Sequence, residues 1–194
     1  MFTGVIRNIG EVKKSYKKSG SLFLAIKKPK SWKIKAGESL SVDGTCLTVK
    51  EMRNNLLVTE LMPETLKRTT FGRKVPKRVN LERPLTLNSL LGGHLVLGHI
   101  DVVGKISDIK RQSSSKVYSV SFPKKYSRLV TEKGSIAVDG VSLAVVGVSP
   151  GRFSVSLTDY TLRNTTLGEK KAGDLVNIEF DILAKYIVNK NMVK

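Results

Sequence analysis

The sequence predicts an all-β protein: two tandem homologous six-stranded Greek-key barrels followed by a short C-terminal helix. Three observations predict it. The chain is written twice, each copy consists of short apolar runs bounded by turn residues, and an Asp-Gly step falls at the same place in both copies. Residues 39–49 (SLSVDGTCLTV) recur as 135–145 (SIAVDGVSLAV), and residues 61–72 (LMPETLKRTTFG) recur as 157–168 (LTDYTLRNTTLG), both 96 positions later. Val79-Asn80-Leu81-Glu82 returns as Val176-Asn177-Ile178-Glu179, and Gly4-Val5-Ile6 as Gly98-His99-Ile100, in the same order. Self-similarity at a nearly constant spacing is the mark of an internal duplication.

Within the first copy, residues 5–12 and 22–27 alternate apolar and polar positions as half-buried strands do. Asp43-Gly44 then joins the β runs 40–42 and 45–52. An Asp-Gly pair suits a type I′ turn, which needs φ > 0 at both central residues. Residues 55–61 form a fifth strand. A short helix follows, with Pro63 in its first turn and Gly72 beyond its end, and residues 78–83 complete the set. Six short strands in so few residues close most simply into a barrel, which leaves no exposed edge. The second copy repeats this plan, with a longer helical insert near residues 123–131. The expected divisions are a barrel at 1–83, a linker at 84–97, a barrel at 98–181 and a helix at 182–194. That helix places apolar residues in adjacent pairs one turn apart and is too short to be stable alone, so it must pack on its own barrel or on another subunit.

Composition narrows the function. The 194 residues carry 40% hydrophobic side chains, enough for real cores. A single cysteine, Cys46, excludes an internal disulfide and fits a reducing, cytoplasmic setting. No apolar run approaches the roughly 20 residues of a membrane span, and the N-terminus lacks the pattern of a signal peptide. The net charge is +18, but the cations come in small groups at turns and only 6% of residues are aromatic. That distribution fits a solvated surface or an anionic ligand rather than a nucleic-acid partner. Two histidines and one cysteine make no metal set, and there is no phosphate-cradling loop or dinucleotide fingerprint.

Chemistry is best sought where duplicated copies diverge, because shared residues mostly maintain the fold. Val5 becomes His99, Cys46 becomes Ser142, Thr48 becomes Ala144, and Pro84 becomes Asp181. One copy carries a thiol; the other carries an imidazole, a hydroxyl and a carboxylate. Histidine is the side chain that titrates near neutral pH, so His99 is the candidate proton carrier. Cys46 also reads as a small buried hydrophobe, Ser142 as a hairpin hydrogen-bond acceptor, and Asp181 as the N-cap of the final helix. The glycine-rich stretch 92–99 holds both histidines, which suggests proton transfer there. His94 itself is expected to act mainly through the linker, on stability or assembly more than on chemistry.

The opening Met1-Phe2-Thr3-Gly4, the hairpin Asp43-Gly44-Thr45-Cys46-Leu47-Thr48-Val49, and Met62-Pro63-Glu64-Thr65-Leu66 together resemble the trimeric, duplicated-barrel riboflavin synthases. So do Val79-Asn80-Leu81-Glu82-Arg83, Gly92-Gly93-His94-Leu95-Val96-Leu97-Gly98-His99 and residues 133–143. The likeness runs along nearly the whole chain. It implies an enzyme without a cofactor in which one 6,7-dimethyl-8-ribityllumazine gives four carbons to another, forming riboflavin and 5-amino-6-ribitylaminouracil. It also implies a homotrimer with sites between subunits, and association with lumazine synthase. A non-catalytic lumazine or flavin carrier is the alternative.

By matching motifs, the N-terminal pocket would use Gly4, Val5, Ile6, Ser39, Cys46, Leu47 and Thr48, together with Glu60, Leu61, Met62, Pro63, Glu64 and Thr65. The C-terminal pocket would use Gly98, His99, Ile100, Lys133, Ser142, Leu143 and Ala144, together with Thr158, Asp159, Tyr160, Thr161, Leu162 and Arg163. The catalytic candidates are His99, Ser142, Cys46, Asp181 and Ser39. Ala144 stands where the family usually has threonine, and Thr158-Asp159-Tyr160 replaces an Ile-Pro-polar run. Both changes, with the short C-terminal helix, alter the second site and leave the first intact.

Overall fold

A computed structural model describes residues 1–113 and 115–190. The first copy supplies β1 (Asn8–Lys18), β2 (Ser21–Lys27), β3 (Ser39–Val42), β4 (Thr45–Arg53), β5 (Leu56–Leu61), α1 (Pro63–Arg68) and β6 (Arg78–Glu82). The second supplies β7 (Val102–Gln112), β8 (Ser115–Ser121), β9 (Ser135–Val138), β10 (Val141–Ser149), β11 (Arg152–Leu157), α2 (Asp159–Asn164) and β12 (Leu175–Phe180). Each set closes into its own antiparallel barrel, with neighbours in the order β1-β2-β5-β4-β3-β6 and its exact repeat β7-β8-β11-β10-β9-β12. The expected helical insert is a 3₁₀ segment, Lys124–Leu129. α3 (Ile182–Lys190) ends the described chain, and residues 191–194 of the expected tail lie outside it.

The turns form for the reasons the sequence supplies. Asp43 and Gly44 take φ 43 and 79, and Asp139 and Gly140 take φ 45 and 79, so each hairpin has the two positive values its tight turn needs. Matching register shifts, between Val12 and Lys14 in β1 and between Ile106 and Asp108 in β7, bend the long first strands around each barrel. Two separate cores result, one around Leu24, Ile26, Leu40, Leu57 and Leu81, the other around Ile106, Tyr118, Ile136, Phe153 and Phe180. β2 departs from the alternation expected of it: Leu22, Phe23, Leu24, Ala25 and Ile26 are all buried. Its second face is covered because Phe23 stacks on Tyr16 at 4.9 Å, with the Lys50 ammonium over the ring.

The barrels meet through reciprocal contacts. Fully buried Asn80 donates from Nδ2 to the Asp139 carbonyl and accepts the Thr166 amide at Oδ1, while Asn177 donates to the Asp43 carbonyl and accepts the Thr70 amide. Gly44 and Gly140 pack backbone to backbone, and a Cβ on either would stand 2.6–2.7 Å from the other's amide nitrogen. The Asp-Gly steps that turn the hairpins thus also form the contact between the two copies.

Candidate active site

A short extended segment precedes the first strand of each barrel, and no barrel ladder claims it. Phe2 and Val96 pair across the junction, exchanging amide-to-carbonyl bonds of 2.7 and 3.1 Å. A buried glutamate then anchors each segment to its own barrel. Glu82 accepts the amides of Thr3 and Gly4 and the Thr3 hydroxyl; Glu179 accepts the amides of Leu97, Gly98 and His99 at 2.7, 2.9 and 3.1 Å. Burial raises the Glu179 carboxyl from its ordinary 4.5 to about 7, against the pull of those amides and of Lys185.

From these anchors the segments cross. The Ser142 amide donates to the Gly4 carbonyl and the Cys46 amide to the Gly98 carbonyl, both at 2.8 Å. The approach is so close that a Cβ on Gly4 would lie 2.6 Å from that of Ser142, and one on Gly98 would lie 2.5 Å from that of Cys46. Ile6 packs on the second barrel's core. The grouping expected from the sequence, with Gly4, Val5 and Ile6 beside Cys46 and with Gly98, His99 and Ile100 beside Ser142, is therefore corrected. Each leader contributes to the wall of the other barrel, because it lies outside its own strands at the junction between copies.

At Cys46 this produces a cavity of about 190 Å³. Thr45, Cys46, Glu64, Thr65, Arg68 and Thr69 line one side, and Gly98, His99 and Ile100 the other. The His99 side chain is exposed at its rim. Arg68 holds Glu64 through a 2.6 Å hydrogen bond. Ser39 and Thr48 face each other in the β3–β4 ladder and do not line this cavity, and Leu47 and Leu61 are in the core. Met62 and Pro63 are exposed at the start of α1, and Glu60 is held by Lys50.

At Ser142 the arrangement differs. His94 Nδ1 lies 2.7 Å from the Ser142 hydroxyl, and the His94 amide donates to the Thr3 carbonyl. Gly93 makes room, since a Cβ there would sit 2.1 Å from the Thr3 carbonyl and 2.9 Å from Ser142 Oγ. His94 is thus not confined to the linker role expected of it. Burial lowers its pKa, and the charge of Asp181 opposes that shift. Asp181 caps α3, its Oδ1 accepting the Leu183 amide at 3.0 Å.

Thr158 caps α2 through the Thr161 amide, and Asp159 pairs with Arg163. Tyr160 is exposed, Leu162 packs on the core, Leu143 is buried and Ala144 is exposed. Lys133 takes φ 63 where the first copy has Gly37 at φ 89, and its amide donates to Val145 as that of Gly37 does to Val49.

Three residues at this junction were not assigned to the site from the sequence: Glu82, Glu179 and His94. Glu82 and Glu179 carried a signal, an acid repeated within an apolar strand motif. His94 carried one too, because the glycine-rich stretch 92–99 holds both histidines of the chain.

The lumazine binding domain family matches residues 3–84 and again residues 97–181. Two barrels crossed by each other's leaders at Cys46 and Ser142 thus define a duplicated lumazine-binding-domain protein. Riboflavin synthase of Actinobacillus pleuropneumoniae is 40% identical over 96% of this chain and 88% of its own length. That of Chlamydia pneumoniae is 38% identical over 97% and 94%. The chain belongs to the riboflavin synthase family of transferases. Among solved structures, LumP complexed with riboflavin superposes with a TM-score of 0.85 at 25% identity, covering 93% of this chain and 99% of that one. LumP complexed with 6,7-dimethyl-8-(1′-D-ribityl) lumazine superposes with a TM-score of 0.83 at 23% identity, over the same shares.

Proposed function

We propose that this protein converts two molecules of 6,7-dimethyl-8-ribityllumazine into riboflavin and 5-amino-6-ribitylaminouracil by transfer of a four-carbon unit, one lumazine site in each barrel (1–83 and 98–181). The observation that carries the reading is the unlike pair of sites in a duplicated fold. Ser142 is hydrogen-bonded to His94, whereas Cys46 faces His99. Two identical substrates need similar pockets, but donor and acceptor need different chemistry. His94, kept neutral by burial, is placed to take the Ser142 hydroxyl proton as that oxygen adds to one lumazine ring. His99, at the open rim, is placed to remove a proton from the 7-methyl group of the other. Asp181 caps the C-terminal helix and its charge reaches His94, with Cys46 and Ser39 on the first barrel.

The reactants meet, in this reading, between the first barrel of one subunit and the second of its neighbour. The 190 Å³ cavity at Cys46 is smaller than the roughly 300–1,000 Å³ of pockets that enclose a whole ligand, as suits a half-site completed by a second copy. Holding two rings face to face replaces a bimolecular encounter and is itself a large share of such catalysis. α3 exposes Leu183, Tyr186 and Ile187, which at i, i+3 and i+4 form one apolar stripe suited to helix packing in a homotrimer. No helix among the described residues is long and apolar enough to cross a membrane, and the lone free cysteine suits the cytoplasm.

The test is incubation of the protein with 6,7-dimethyl-8-ribityllumazine alone, followed by separation of products. Riboflavin and the aminouracil should appear in equal amounts. Tight binding of the lumazine with no flavin formed would establish instead a carrier of the LumP kind.

A further inference from the structure

A second cleft, of about 640 Å³, opens between the barrels beside Asp43 and shares no residue with the cavity at Cys46. One wall is the loop Arg73-Lys74-Val75-Pro76-Lys77-Arg78, and the other comes from the matching loop of the second copy. That second loop has Glu169 where the first has Arg73, Lys170 opposite Lys74, Asp174 opposite Lys77 and Leu175 opposite Arg78, so two carboxylates, Glu169 and Asp174, also line the cleft. Lysine is kept only at the Lys74 position, so the fold does not require a cation at 73, 77 or 78, and those three on one wall need another reason.

The charges are unequally committed. Lys170 Nζ lies 2.9 Å from Asp139 Oδ2 and donates to the Leu175 carbonyl. Lys74, its counterpart, makes no ion pair with Asp43, the counterpart of Asp139. Arg78 is paired with Glu169. Among the described residues, Arg73, Lys74 and Lys77 have no acidic partner. Burial first, and the Asp139 charge second, push the Asp43 carboxyl well above the usual carboxylate range, against the pull of Lys170 and the Asn80 amide. Thr166 is only 5% exposed, lines the cleft, and its hydroxyl has no hydrogen-bond partner. Val75, Pro76 and Leu175 supply apolar surface next to the cations, and the volume lies within the range of small-molecule sites.

We propose that this cleft binds a small phosphate-bearing molecule, its phosphate held by Arg73, Lys74 and Lys77 and its body resting on Val75, Pro76 and Leu175. Guanidinium and ammonium donors lining one wall suit the recognition of a phosphate group. The site stands apart from the lumazine sites and does not depend on the proposed reaction.

Calorimetric titration of the full chain with adenosine monophosphate at low ionic strength tests the proposal, with inorganic phosphate as a second probe. Saturable binding is expected, and Arg73→Gln with Lys77→Gln should weaken it at least tenfold. Both side chains are exposed, so circular dichroism should be unchanged, and riboflavin binding followed by fluorescence quenching should be unaffected. A control, Lys33→Gln with Lys35→Gln, removes two exposed charges outside the cleft and should leave binding intact. Absence of binding by both probes at millimolar concentration overturns the proposal. So does equal weakening in the control, competition by riboflavin, or binding of a single-stranded oligonucleotide with none of adenosine monophosphate.

Discussion

His94 Nδ1 lies 2.7 Å from Ser142 Oγ, although the two residues are 48 positions apart and belong to the inter-barrel linker and the second hairpin. In the proposed reaction a hydroxyl and an imidazole hydrogen-bonded in this way would work as one unit. Ser142→Ala and His94→Ala are each expected to lower flavin formation by roughly 10²–10⁴, and the double variant should lose little more than either single one. Turnover at saturating lumazine, with circular dichroism as the folding control, measures this. Multiplicative losses in the double variant would separate the two residues.

His99 occupies the position of Val5 in the first copy, so the backbone there does not require an imidazole. His99→Val should keep the fold and lumazine binding while slowing flavin formation by roughly 10²–10⁴. A folded variant with near-normal turnover would remove His99 from the mechanism.

Gly44 has φ +79 and no room for a Cβ, which would stand 2.6 Å from the Gly140 nitrogen. Gly44→Ala should destabilise the protein by roughly 2–5 kcal/mol, combining left-handed backbone cost with overpacking at the junction. Gly37, at φ +89 with nothing within 4 Å of a Cβ, isolates the first of these, and Gly37→Ala should cost only about 1–2 kcal/mol. Urea unfolding of both variants gives the comparison; equal losses would mean that the close approach is not required.

The Glu179 carboxyl keeps its proton to about pH 7 in the fold, against an ordinary value of 4.5. Between those two values the folded state binds more protons than the unfolded one, so the contribution of this group to stability falls as pH rises. The loss, on the order of 3 kcal/mol, is complete above about pH 7. Glu179→Gln does not titrate. Its unfolding free energy should therefore fall less steeply than that of the wild type from pH 4.5 to 7, and parallel curves in urea would refute the assignment.

The sequence by itself determined the duplication, the six strands of each copy, and the Asp-Gly turns with both residues at positive φ. These follow from local rules: alternation, turn chemistry and repetition at a fixed spacing. It also pointed to Cys46, His99, Ser142 and Asp181, because divergence between copies is visible in one dimension. Tertiary structure alone decided which of these stand together. The leaders 1–6 and 95–100 belong to no barrel ladder, so their partners are fixed by how the two copies pack. That packing depends on reciprocal buried contacts, such as Asn80 with Asp139 and Asn177 with Asp43, which leave no periodic trace in the chain. The same junction sets Gly98 against Cys46, brings His94 onto Ser142, and buries Glu179 under three amides that local sequence does not connect to it.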